Sequence, residues 1–154
     1  MEISCEVPST HLDDEEIARL LKETKRIAVI GISQKPDRDS YKVAKYLLEQ
    51  GFDMIPVNPI RKEILGQRCY PSLLEIPFEV DMADLFLSPD KVPKVVEEAI
   101  KKGVRSIWMQ IGVVHNEAAK KAMEHGIKVV MNRCVMREHE RLRHLIVNPN
   151  GQRL

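Results

Sequence analysis

The residues best placed to do chemistry cluster in one stretch, 26–40, where an apolar run meets Gly31 and then a polar loop carrying Lys35 and Arg38. Lysine and arginine behind a glycine turn are the residue types that hold phosphate groups, the guanidinium in a fork and the ammonium as a point charge. A helical pattern begins near Ser40, so the loop runs into a helix N-terminus, where backbone N–H groups and the helix dipole favour an anion. The chemistry expected here is the holding of a phosphorylated ligand. Taken alone, Lys35 and Arg38 could equally be solvated loop charges, and Gly31 could be only a strand-to-helix turn.

Positioning such a loop takes a strand before it and a helix after it. The β-branched run 27–30 predicts a strand buried on both faces. Ahead of it, 13–24 predicts an amphipathic helix: Asp13 and Glu16 have the spacing of a capping box, and Leu12 and Ile17 that of a hydrophobic staple. Beyond the loop, Val43, Ala44, Leu47 and Leu48 keep a helical period that Gly51 closes. Further strands are expected at 52–57, 82–87, 106–111 and 127–131. Helices are expected at about 90–103, 116–126 and 136–145, with 60–77 irregular apart from a tight turn near 63–66 and one helical turn near 72–75.

This alternation predicts an α/β chain: a Rossmann-like, doubly wound, five-stranded, mainly parallel sheet with helices on both faces. Right-handed crossovers put all strand carboxyl ends on one edge, so the loops after the strands should converge on one crevice. Those loops contain Gly31 to Arg38, Asn58 and Pro59, Ser88 and Pro89, Gln110, Ile111 and Gly112, and 132–134. Asn58-Pro59 could equally do no more than end a strand, and Ser88-Pro89 no more than start a helix.

The rest of the sequence excludes several classes. The 154 residues fit one domain, 1–154, with ends 1–12 and 146–154 read as flexible. With 24 Lys+Arg against 23 Asp+Glu the net charge is +1, which argues against a nucleic-acid surface. Three widely spaced cysteines and five histidines without ligand spacing suggest neither a disulfide framework nor a metal site. No leader pattern or membrane-length apolar run occurs, so a cytoplasmic protein is expected. Trp108 is read as core, and Cys134, after the fifth strand, as more easily a buried structural thiol than a reactive one.

The first loop is not the dinucleotide fingerprint, because after Gly31 no glycine follows before Gly51. The second strand ends in Asn58-Pro59, where an NAD site usually has an acid for the ribose. The blocks Gly31-Ile-Ser-Gln-Lys-Pro-Asp-Arg-Asp-Ser-Tyr41, Val57-Asn-Pro59, Glu63-Ile-Leu-Gly66, Tyr70-Pro-Ser-Leu73 and Asn132-Arg-Cys134 with Glu138-His-Glu-Arg-Leu142 resemble the small stand-alone CoA-binding proteins. That family is similar to the N-terminal CoA-binding domain of the succinyl-CoA synthetase alpha subunit. The resemblance covers about 13–142.

It implies that coenzyme A or a short acyl-CoA lies across the strand carboxyl ends. Gly31, Ile32 and Ser33 would then line the phosphate and adenosine approach. Lys35 and Arg38 would contact phosphates, and Ser40 and Tyr41 would open the helix beneath them. Asn58 and Pro59 would border adenine and ribose, Ser88 and Pro89 would face the cofactor, and Gln110, Ile111 and Gly112 would lie along the pantetheine arm. The ligase chemistry does not carry over, since the synthetase's phosphohistidine domain and partner subunit have no counterpart here. The expectation is therefore binding without catalysis. The alternatives are a component of an acyl-CoA ligase or transfer enzyme working with another chain, and an NAD(P)-binding protein. A homodimer or a partner enzyme chain is left open.

Overall fold

The structure, a computed structural model, describes residues 7–9, 11–148 and 151–152. The first helix, α1 (Asp14–Glu23), starts as its sequence dictates. The Asp13 carboxylate accepts from the Glu16 N–H (2.8 Å) and the Glu16 carboxylate from the Asp13 N–H (3.1 Å), a complete capping box. Its apolar side, Ile17, Leu20 and Leu21, is buried.

Five strands form one all-parallel sheet: β1 (Arg26–Ile30), β2 (Asp53–Val57), β5 (Met82–Leu85), β6 (Ser106–Met109) and β7 (Lys128–Val130), in the order β2-β1-β5-β6-β7. Between β2 and β5 the chain makes a two-stranded antiparallel hairpin, β3 (Glu63–Ile64) with β4 (Gln67–Arg68). The sequence suggested only a tight turn there. Leu65 and Gly66 at its tip both have positive φ (55° and 74°), and that lets so short a hairpin close.

The connecting helices are α2 (Asp39–Glu49), α3 (Val92–Lys102) and α4 (Asn116–Glu124), and α5 (Val135–Arg141) with α6 (Arg143–Ile146) ends the fold. One face of the sheet packs on α1, α2, α5 and α6, and the other on α3, α4 and the 3₁₀ turn Leu73–Glu75. The expected architecture, a Rossmann-like α/β fold with helices on both faces, is therefore the observed one.

The differences in detail have local causes. The third and fourth strands stop at Leu85 and Met109, two residues short of their apolar runs, because the chain turns there into the crevice loops. Ahead of α3, Ser88 precedes a 3₁₀ turn, Pro89–Lys91, so Pro93 falls in the first helical turn where its missing N–H costs nothing. The expected last helix is two, breaking at Leu142. The ends read as flexible, 1–12 and 146–154, lie partly outside the described residues; within them Leu12 packs on the core and Ile146 is buried.

Strand order sets the crevice. From β1 the chain crosses to β2 on one side, while β5 lies on the other side of β1. Loops after β1 and β5 thus leave in opposite directions and open a gap between them, the usual ligand position in doubly wound sheets.

Candidate functional site

At the switch point the end of β1 is clamped from both neighbours. The Gly31 N–H donates to the Val57 carbonyl (3.2 Å) and the Phe86 N–H to the Ile30 carbonyl (2.9 Å). Gly31 has φ +86°, and a Cβ there would stand 2.2 Å from the Phe86 carbonyl oxygen. Glycine is thus required by chain crossing as well as by conformation. Its N–H is already engaged, so the residue shapes the approach and leaves anion contact to others.

The loop that follows is wired internally. The Ser33 N–H donates to the Ser40 hydroxyl (2.9 Å) and the Lys35 N–H to the Ser33 hydroxyl (3.1 Å). The Ile32 carbonyl accepts from the Asn58 amide (2.9 Å), whose oxygen accepts from the N–H groups of Ile60 (2.8 Å) and Arg61 (3.0 Å). Asn58 is a brace between the loops after β1 and β2, with both ends of its amide in use. Pro59, beside it, is exposed, as are Lys35 and Arg38. Arg38 is the N-cap of α2, and no side chain caps that helix. An open helix N-terminus flanked by two exposed cations suits a phosphate-bearing ligand. Ser40, buried in the first turn of α2, and half-buried Tyr41 beside it sit under this loop.

Next to that loop, between α2 and α5, the edge opens into a cleft of about 420 Å³. Ser88, Pro89, Gln110, Ile111 and Gly112, all expected at the site, line it together with Val113. Gly31, Ile32, Ser33, Lys35, Arg38, Ser40, Tyr41, Asn58 and Pro59 lie outside its lining, so the expected residues fall into two groups along one edge. The sequence reading missed the helical contribution. Asp39, Lys42 and Val43 from α2 and Met136 and Arg137 from α5 also line the cleft, as do Phe86, Leu87 and Cys134. Their signal was available: these helices begin directly after crevice loops, so their first-turn residues must flank the gap.

Polar side chains hold this second part in place. The Gln110 side-chain oxygen accepts from the Val135 N–H (3.2 Å), tying the loop after β6 to the start of α5. Asn132, at φ +61°, accepts from the Gly112 N–H (2.8 Å). The Trp108 indole N–H donates to the Arg133 carbonyl (2.8 Å), so the buried tryptophan fixes the turn after β7. Outside the cleft, Arg133 and Arg141 both pair with Glu138 (2.9 Å each), and Arg141 pairs with Asp14 (2.8 Å). Burial raises the Glu138 carboxyl, and hydrogen bonds from Arg141 and Arg133 outweigh it and hold the group below its ordinary value.

Asp84, in the middle of β5, is fully buried with neither oxygen hydrogen-bonded, and burial raises its carboxyl well above the usual range. Among the described residues no cluster of His, Cys, Asp and Glu could hold a metal ion, and no helix is long and apolar enough to cross a membrane.

Comparison with known proteins shows the family. A hypothetical protein from Pyrococcus horikoshii of solved structure is 49% identical, with a TM-score of 0.84 over 92% of this chain and 99% of that one. The uncharacterised protein YneT of Bacillus subtilis is 38% identical over 124 residues, 80% of this chain and 92% of that one. An ADP-forming acetate–CoA ligase of Methanocaldococcus jannaschii is 32% identical over 126 residues, 82% of this chain and only 17% of the ligase. The sequence model of the family described as "CoA binding domain" matches residues 25–140, from β1 to α5. The chain belongs to the CoA-binding domain family and is related to the corresponding region of acyl-CoA ligases.

Proposed function

We propose that the chain holds coenzyme A or a short acyl-CoA across the carboxyl edge of its sheet and performs no catalysis of its own. The observation that carries this reading is the continuity of the edge. An open helix N-terminus with Lys35 and Arg38 lies beside a cleft that contains Ser88, Pro89, Gln110, Ile111 and Gly112. A charged end and a long, mainly apolar arm suit such a surface. The phosphates sit at Lys35, Arg38 and the start of α2, with Ser33 offering its hydroxyl. Adenine and ribose lie towards Asn58 and Pro59, and the pantetheine arm runs past Ser88 towards Gln110, Ile111 and Gly112.

A second reading is favoured by the ligase relatives, of which this chain spans a small part. In it the domain lends bound CoA to a partner chain, or to a second copy of itself, that supplies the chemistry. Calorimetric titration with CoA, acetyl-CoA, NAD and ATP tests the first reading. CoA or acetyl-CoA should bind and NAD should not, and the converse would remove it. Adding acyl-CoA and following hydrolysis tests for catalysis by the chain alone.

A further inference from the structure

The cleft between α2 and α5 offers more than a tether for a thiol needs, and the role assigned to it here rests on the proposed binding of CoA. Its lining includes the apolar side chains of Val43, Phe86, Leu87 and Met136. Two exposed cations complete it, Lys42 from the first turn of α2 and Arg137 from the first turn of α5. Of the three arginines between residues 133 and 141, two are committed: Arg133 to Glu138, and Arg141 to Asp14 and Glu138. Arg137 and Lys42 enter none of the ion pairs among the described residues. The one acid in the lining, Asp39, is likewise unpaired, so two cations and one anion leave the cleft with one net positive charge. Lys35 and Arg38, to which the phosphates are assigned, stand outside it.

The arm of coenzyme A ends in a neutral thiol, which gains nothing from either cation. We infer that this cleft receives the acyl group of a CoA thioester whose acyl chain itself ends in a carboxylate. Its methylenes lie on Val43, Phe86 and Met136, and its carboxylate lies between Lys42 and Arg137. A guanidinium can bind both carboxylate oxygens at once, and attraction is stronger in a partly enclosed cleft than on open surface. At about 420 Å³ the cleft is of ligand-pocket size, with room for a short acyl chain beside the end of the arm. An uncharged acetyl group would leave both cations without a partner.

The test is calorimetric titration of the full chain and of the Lys42→Ala, Arg137→Ala double variant with CoA, acetyl-CoA and succinyl-CoA, the last as the carboxylate-bearing probe. Succinyl-CoA is expected to bind about tenfold or more tightly than acetyl-CoA, and the double variant to lose that advantage while keeping its affinity for CoA within about twofold. Equal binding of the two thioesters beside normal CoA binding would overturn the inference and leave the CoA reading intact. A double variant that loses CoA as heavily as succinyl-CoA would also overturn it, by returning Lys42 and Arg137 to the phosphates. Failure of all three ligands to bind the unaltered chain would overturn the CoA reading itself. Circular dichroism of the double variant, whose two changes are on exposed side chains, separates lost folding from lost contact.

Discussion

Replacing Gly31 by alanine tests the switch point at its most demanding position. The residue has φ +86°, and holding an L-residue in left-handed backbone costs roughly 1–2 kcal/mol. The new Cβ would also meet the Phe86 carbonyl oxygen at 2.2 Å, and that oxygen belongs to backbone, so the ends of β1 and β5 must part. Overpacking of this kind costs about 1–3 kcal/mol more. The sum, roughly 2–5 kcal/mol, is a large part of a typical domain's stability and lowers Tm by roughly 6–15 °C. Gly66→Ala is the control, because φ is +74° but nothing lies within 4 Å of its Cβ, so only the conformational part, roughly 1–2 kcal/mol, applies. Urea unfolding of both variants reads the difference. Equal losses for the two, or an unchanged midpoint for Gly31→Ala, would refute the chain-crossing argument.

The same geometry has other measurable consequences. Lys35→Ala with Arg38→Ala should weaken CoA by something on the order of 2–4 kcal/mol if both meet phosphate, while leaving the urea midpoint unchanged; unaltered affinity in a titration would remove them from the site. Asn58→Ala deletes the brace between two loops and should cost about 1–3 kcal/mol in urea unfolding and weaken CoA indirectly. Asp84, whose folded-state carboxyl is raised, is neutral in both states at low pH. Its cost therefore appears as pH climbs past the unfolded value near 3.9 and grows by up to about 1.4 kcal/mol per pH unit until the folded group ionises. Asp84→Asn should flatten that fall and raise Tm at pH 7 and above; equal pH profiles for variant and parent would contradict this. Glu138 has the opposite sign. Its contribution is present above the unfolded value near 4.3 and is lost as pH falls through the lower folded one, so Glu138→Gln should be least costly in acid, as read by Tm against pH.

The framework was readable because its signals were local. Asp13 with Glu16, the glycines behind α2 and α3, and the buried runs 27–30 and 106–109 each specify one element, and the crossover rule fixes their common edge. What escaped depends on contacts far apart in sequence. The Asn58 amide bonds a carbonyl 26 residues away, and the Gln110 side chain an N–H 25 residues away. Neither spacing marks a motif. Lys42 and Arg137, nearly a hundred residues apart, face one cleft only because α2 and α5 share a side of the sheet. Nor did Asp84 announce itself, since an acid inside an apolar run shows its isolation only once its surroundings are placed.

Backbone NMR of labelled protein titrated with CoA tests the central claim most directly. Binding along the carboxyl edge predicts amide shifts concentrated at residues 33–42, 58–61, 88, 110–113 and 132–137, prolines aside, and an unperturbed groove between α3 and α4 around His115 and His125. No shifts at the strand ends at saturating CoA, or shifts centred on the α3–α4 groove, would contradict it.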